Sequence, residues 1–261
     1  MLNELFYNLL RVSIGTQDCF TRTPSEDEWS KLYVMAEKQS LLGICFVGLQ
    51  QLRASNEFGK FNNQGTGFEE TYEKIGMSEG LYYTWMGMAA QIQHRNVVVN
   101  QQCLEVQRLF RDKGVRSCII KGQGSGSLYK KEHTDGSDEK IDTDLSLYRQ
   151  SGDIDVWVEG GRKKVLELVN SILPSNEIRE THAQLHIFKD TDVEVHYRLG
   201  LIRDFIRNRR LQAFFDEHSD ECFTHKVQLY SEEIVAPTIQ FNAVQQLLHI
   251  YITICSVVVS A

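Results

Sequence analysis

The stretch SGDIDVWV, residues 151–158, decides how this chain is read. Asp153 and Asp155 stand one residue apart inside an otherwise apolar, β-branched run. Side chains alternate between the two faces of a strand, so both carboxylates point the same way, and Ile154, Val156 and Val158 line the other face. Two like charges on one face repel, and partial burial strengthens the repulsion. A divalent cation between them removes that cost. The same pattern also describes an edge strand with a solvated acidic face. On these eight residues both readings stand.

Upstream, VRSCII at 115–120 reads as a strand that ends in KGQGSGSLY at 121–129. A strand running into a glycine- and serine-rich turn and then a helix can present backbone N–H groups to phosphate. The turn is not a Walker A loop, because no lysine–serine/threonine pair closes it. A flexible loop has the same composition, and Lys121 reads equally as a phosphate contact or a surface lysine. Residues 130–150 are polar and highly charged, which predicts a mobile loop placed where it can close over a ligand. Its aspartates do not match the spacing of a helix–loop–helix calcium site.

Downstream, Gly160 and Gly161 open a helix, RKKVLELVNSIL, that Pro174 ends. Two strands follow, AQLHIFKD (183–190) and DVEVHYRL (192–199), with a turn at Asp190 and Thr191. Asp192, Glu194 and His196 share one face of the second, and His182, Gln184 and His186 share one face of the first. A hairpin beside the acidic strand brings Glu194 towards Asp153 and Asp155 as a third carboxylate. His186 and His196 read equally as cross-strand partners without a chemical role.

The flanks are read as helical. Ser25–Glu28 has capping-box spacing ahead of an apolar-periodic run, Gly43 suggests a break, and 54–68 reads as a loop. A longer helix is expected over about 70–112, capped at Gly114. His94 reads as a surface residue. Beyond 200 the chain reads as mostly helical, with Arg203, Arg207, Arg209 and Arg210 on a solvated helix face. The apolar end, LLHIYITICSVVVSA, is shorter than the roughly 20 residues a membrane span needs, so a buried element is expected.

Composition bounds the function. The chain has 261 residues, 42% of them hydrophobic, enough for a sizeable core. A net charge of −7 argues against an extended nucleic-acid surface, though not against a local basic pocket for a nucleotide. Six cysteines without CxxC spacing point to reduced thiols in a cytoplasmic protein rather than a zinc site or disulfide framework. The N-terminal stretch MLNELFYNLLRVSIG carries no signal-peptide pattern, and no membrane partner is expected.

Taken in order, Lys-Gly and a small-residue turn, Gly-Asp-Ile-Asp-Val at 152–156 and Val-Glu-Val-His at 193–196 resemble the nucleotidyltransferase superfamily related to DNA polymerase β. The likeness is nearest to an uncharacterised bacterial nucleotidyltransferase family that has Lys-Gly in place of Gly-Ser, a helical region before the core and a histidine after the third acid. The resemblance covers roughly residues 25–250, with its specific motifs in 119–196. It implies an α+β fold: a helical N-terminal region at 1–112, a mixed-sheet core at 113–200 and a C-terminal helical region at 201–261. The segment between Tyr129 and Arg149 is long for the family. The chain ends soon after QLLHIY, where relatives are expected to continue, so a truncated or altered end is expected.

The resemblance further implies metal-dependent transfer of an NMP from an NTP to a hydroxyl. Asp153 and Asp155 match the metal-binding pair and Glu194 the third acid. Lys121 and Gly122 match the phosphate-side turn, with Gly124 and Ser125 as contributors, and His196 matches the family's histidine. Mg²⁺ or Mn²⁺ is the implied cofactor. The acceptor is a small molecule, a protein or a tRNA; the acidic charge weighs against tRNA and the arginine cluster for it. The competing reading is a catalytically inactive nucleotide-binding or protein-interaction module of the same fold. Replacing Asp153 and Asp155 by Asn is expected to leave the unliganded protein as stable or more so.

Overall fold

The computed structural model describes residues 2–17, 19–20, 22–54, 75–129, 144–229 and 232–259, with backbone alone at 53–54, 127 and 253–259. The chain divides into two compact units, Met1–Val97 with Lys130–Gln150, and Val98–Tyr129 with Ser151–Ala261. The fold is mixed α+β.

In the first unit, α1 (Leu2–Ser13), α2 (Glu26–Lys38), α3 (Leu42–Ala54) and the start of α4 (Glu79–Asp112) pack around Leu9, Trp29, Leu32, Leu49 and Trp85. Both tryptophans are fully buried, and each indole N–H donates to a backbone carbonyl, that of Ile75 or Leu42. Burial of such large rings is stabilising only when their single donor is satisfied. The capping box at α2 is present: Ser25 Oγ accepts from Glu28 N–H, and Glu28 returns the bond to Ser25 N–H. Hydrogen bonds from Arg22 and from that backbone N–H hold the Glu28 carboxyl down at about 2.

The break between α2 and α3 lies at Ser40, not at Gly43. Ser40 takes a left-handed φ of 56°, and Leu41 N–H reaches back to Ala36 O. Gly43 sits inside α3 because a Cβ there would lie 2.2 Å from the Tyr148 carbonyl oxygen. That carbonyl belongs to a 3₁₀ turn, Leu145–Tyr148, so the end of the segment read as a mobile loop is ordered and capped by Asp144. Residues 130–143 of that segment, and the expected loop beyond Ala54, lie outside the described residues. The long helix ends as expected at Gly114, whose φ of +72° lets Val115 N–H bond Phe110 O.

The second unit is built on a four-stranded sheet of order β1 (Ser117–Ile120), β2 (Ile154–Val158), β4 (Val193–His196), β3 (His182–Gln184). β2 is antiparallel to β1 and parallel to β4, and β3 is antiparallel to β4. β2 is therefore a central strand, and the edge-strand reading of SGDIDVWV does not hold. One face of the sheet carries Ile119, Val156, Val195 and Ala183 against α4 and α5 (Gly161–Ile172), through Val99, Phe110, Val165 and Val169. The other face carries Cys118, Ile120 and Trp157 against α6 (Phe205–Glu217), the single turn α7 (Ser219–Cys222) and α8 (Ile239–Val259). Both faces are covered, so every residue of β2 is buried.

The stretch beyond 200 is mostly helical, as expected, with one antiparallel pair added, β5 (Lys226–Leu229) and β6 (Glu232–Val235). Their alternation, with Leu229 and Ile234 buried and Lys226 and Glu233 exposed, is a period-2 signal only four residues long on each side. The apolar end, expected as a buried element, is only partly buried among its described residues. Phe241 and Leu248 enter the core, but Leu247, Ile250 and Tyr251 face solvent. No helix among the described residues is long and apolar enough to cross a membrane.

The glycine turn is a 3₁₀ segment, Gly122–Tyr129, docked on β1. A Cβ on Gly124 would lie 2.0 Å from Ile119 O, a backbone atom that cannot step aside. Gly124→Ala is thus expected to cost on the order of 3 kcal/mol in denaturant unfolding, the upper range for overpacking. Gly152, with open space around its Cβ position, should tolerate Ala within about 0.5 kcal/mol. Equal effects of the two changes would refute the packing role.

Candidate active site

Directly opposed residues on paired strands share a face. Asp155 pairs with Glu194 across β2 and β4, and Gln184 pairs with Glu194 across β3 and β4; one step on, His196 faces His182. The half of this sheet face towards β3 is therefore a polar row: Asp155, Glu194 with His196, and Gln184 with His182. Asp153 precedes β2 rather than lying in it, and is exposed at its mouth.

Asp155 is the centre of the row and is only 7% exposed. Lys121 Nζ donates to its Oδ1 at 2.6 Å, and His196 Nε2 lies 2.7 Å from the same oxygen. Lys121 reaches it from the end of β1 with a left-handed φ of 54°, a conformation costly for a residue with a Cβ and concentrated at functional positions. His196 Nε2 is also 3.3 Å from Glu194 Oε2, so one imidazole nitrogen touches two of the three expected acids. Glu194 Oε1 accepts from Gln184 Nε2 at 3.1 Å and lies 3.4 Å from His182 Nε2.

The charges respond accordingly. Burial works to raise the Asp155 carboxyl, but His196 and Lys121 bring it below its ordinary value. Asp153 has no such hydrogen-bonded partner among the described residues: desolvation, then the charges of Asp155 and Glu194, raise it. The hydrogen bond from His196 lowers Glu194. Burial presses His196 down, yet its bonds to Asp155 and Glu194 carry it above its ordinary value. The two aspartates are thus unequal. Asp153 carries the repulsion expected of the pair, whereas Asp155 is an anion held by Lys121 and His196. The expectation that the double Asn change leaves the unliganded protein as stable or slightly more so rests on repulsion alone, which describes Asp153 but not the paired Asp155.

The structure brings Lys121, Asp153, Asp155, Glu194 and His196 together. It places the other turn residues differently. Ser125, 8% exposed, has its hydroxyl on Asn242 Oδ1 and its N–H on Lys121 O, so both polar groups are engaged inside the protein. Gly124 packs on Ile119. Gly122 follows Lys121 with a φ of 23°. His186 does not pair with His196; it lies 3.1 Å from Asp192 Oδ1. The shortness of β3, which ends at Gln184, leaves His186 beyond the ladder.

Some contributors were not legible as site residues. Gln123 bonds Asn100 on α4, and Thr191 bonds Gln102 on the same helix, so α4 anchors both the turn and the β3–β4 connection. Polar residues at helical positions 100 and 102, next to buried Val99 and Cys103, were the available signal. Arg203, Arg207, Arg209 and Arg210 are all exposed, as expected. A separate surface depression of about 610 Å³ gathers Arg162, Arg179 and Arg198 from three different segments.

The chain matches no family model, no curated protein and no solved structure in comparisons with each.

These pairings fix the direction of the pH response. A raised histidine contributes stability that is fully present below about 6.5 and is lost as pH climbs through the higher folded value. A depressed aspartate contributes above about 3.9 and loses its contribution as pH falls through the folded value. The His196 ring resonances should titrate above 6.5 by NMR; a midpoint at or below it would overturn the pairing. Asp155→Asn should lower unfolding free energy by on the order of 3 kcal/mol at neutral pH, the scale of a broken buried pair. Asp153→Asn should instead raise the melting temperature.

Proposed function

We propose that this chain is a metal-dependent nucleotidyltransferase with a polymerase β-like core, moving an NMP from an NTP to a hydroxyl of a small-molecule, protein or tRNA acceptor. The observation that carries the reading is the direct pairing of Asp155 with Glu194 across parallel strands, with Asp153 crowding both and Lys121 arriving from the turn. The mixed sheet, with β1 leading into the turn and the acids on neighbouring strands, supports it.

The donor set fits the implied ion. Three carboxylates offer hard oxygen ligands suited to Mg²⁺ or Mn²⁺. The unrelieved repulsion at Asp153 is what a cation would remove. Held by Asp153, Asp155 and Glu194, the metal would neutralise phosphate charge and acidify the acceptor hydroxyl. The chain's own groups do the rest. Lys121 can exchange Asp155 for a phosphate oxygen, keeping a charge-assisted bond in both states. His196, at 5% exposure, orients Asp155 and Glu194 together. Glu194, held ionised, can receive a proton from the acceptor.

One observation favours the alternative, an inactive nucleotide-binding or protein-interaction module of this fold. Asp155 Oδ1 is already engaged by two protein groups, Lys121 Nζ and His196 Nε2. An ion entering there competes with both.

Thermal melting with Mg²⁺ and each NTP, paired with labelled-NTP transfer to sugars, tRNA and protein, separates the readings. A metal-dependent rise in melting temperature is expected, and Asp153→Asn should abolish it while the chain stays folded. Glu194→Gln should preserve folding and slow transfer at least about a hundredfold. A rise without transfer would select the inactive nucleotide-binding module; no rise with any NTP would defeat the transferase and nucleotide-binding readings together.

A further inference from the structure

His182, Glu194 and His196 each offer one ligand atom, and these atoms all lie within 4.8 Å of one another. The separations carry more information than the cluster itself. His182 Nε2 is 3.4 Å from Glu194 Oε1, and His196 Nε2 is 3.3 Å from Glu194 Oε2. Both are long for a hydrogen bond to a carboxylate, which is shortest when charge-assisted. Metal bonds of about 2.0–2.2 Å at tetrahedral angles separate neighbouring ligands by roughly 3.3–3.5 Å, so each histidine stands at a ligand-to-ligand distance from one oxygen of Glu194, His182 from Oε1 and His196 from Oε2.

The surroundings are those of a supported ligand set. Thr181 Oγ1 lies 3.1 Å from His182 Nδ1, which fixes the ring and leaves Nε2 facing Glu194. Gln184 Nε2 holds the Glu194 carboxylate. Such outer bonds orient metal ligands and tune their affinity.

We propose that His182, Glu194 and His196 form a site for a divalent transition ion of the Zn²⁺ class. Two imidazoles and one carboxylate favour such an ion over Mg²⁺, which prefers oxygen alone. Three protein ligands leave a fourth position open for water or substrate. The site shares Glu194 with the carboxylate triad but includes His182, which the transferase reading does not use, and it stands whether or not that reading does.

Titration of the full chain with CoCl₂, followed by visible absorption, tests it. One equivalent should give the intense absorption of four- or five-coordinate Co²⁺. One equivalent of Zn²⁺ should bleach it, and Mg²⁺ at about a hundredfold excess should not. His182→Ala and His182→Gln should each weaken Co²⁺ at least about a hundredfold, since even outer-ligand losses cost 10–100-fold. Asp153→Asn should change Co²⁺ affinity by less than about tenfold, as it alters only a neighbouring charge. Absent absorption, displacement by Mg²⁺, or His182 variants that bind as the parent does would overturn the proposal. The Mg²⁺ competition in the parent chain decides even where a variant does not fold. Loss of Mg²⁺–NTP binding with the Co²⁺ site intact defeats the transferase reading alone; the reverse defeats only the transition-metal site.

Discussion

The second unit depends on one constraint, a carboxylate buried in the middle of a sheet. Asp155 is 7% exposed on a central strand, where an unpaired charge would be driven to neutralise. It stays ionised because Lys121 and His196 both reach Oδ1. Much around it serves that contact. Lys121 adopts a left-handed backbone to aim its ammonium, and Gly124 lets the turn press onto Ile119. Asn100 and Asn242 hold the turn from two helices. By contrast, the exposed fork of Arg116 with Glu159 and Asp220 is worth about 0–1 kcal/mol on the usual scale and decides little.

The sheet's two faces divide the labour. One is apolar throughout and supplies the core, through Val156 and Val195 against the helices behind them. The other is apolar only at β1 and Trp157, where Phe241 stacks on the indole and Phe223 packs tilted against it. Towards β3 it turns polar. A row of ionisable groups is thus held by strands whose reverse sides are locked in a packed core, which gives side chains fixed positions.

Glu194 stands between two kinds of partner. Towards β2 lie the aspartates, which suit hard, oxygen-loving ions; towards β3 lies His182, which suits a nitrogen-seeking one. His196 touches both acids and belongs to either arrangement. The row thus sets oxygen ligands on one side of Glu194 and nitrogen ligands on the other.

The α+β class, the acidic strand, the helix over 161–172 and the approach of Glu194 to Asp155 were legible in the sequence. Each is local or follows from period-2 alternation on adjacent strands, as in Val193, Glu194, Val195 and His196. The capping box at Ser25 and the glycine cap at 114 were legible because backbone geometry demands those residue types. The sequence did not tell Asp153 from Asp155. They look alike in GDIDV, and only the reach of Lys121, 34 residues upstream, and His196, 41 residues downstream, makes one a paired anion and the other a strained one. Nor could it exchange His186 for His182 as the partner of His196, because strand length and register are settled by long-range pairing. The small hairpin at 226–235 escaped for a related reason: four-residue strands carry too few alternations to outweigh the helical flanks, and burial of Leu229 and Ile234 fixes them only once the chain has folded.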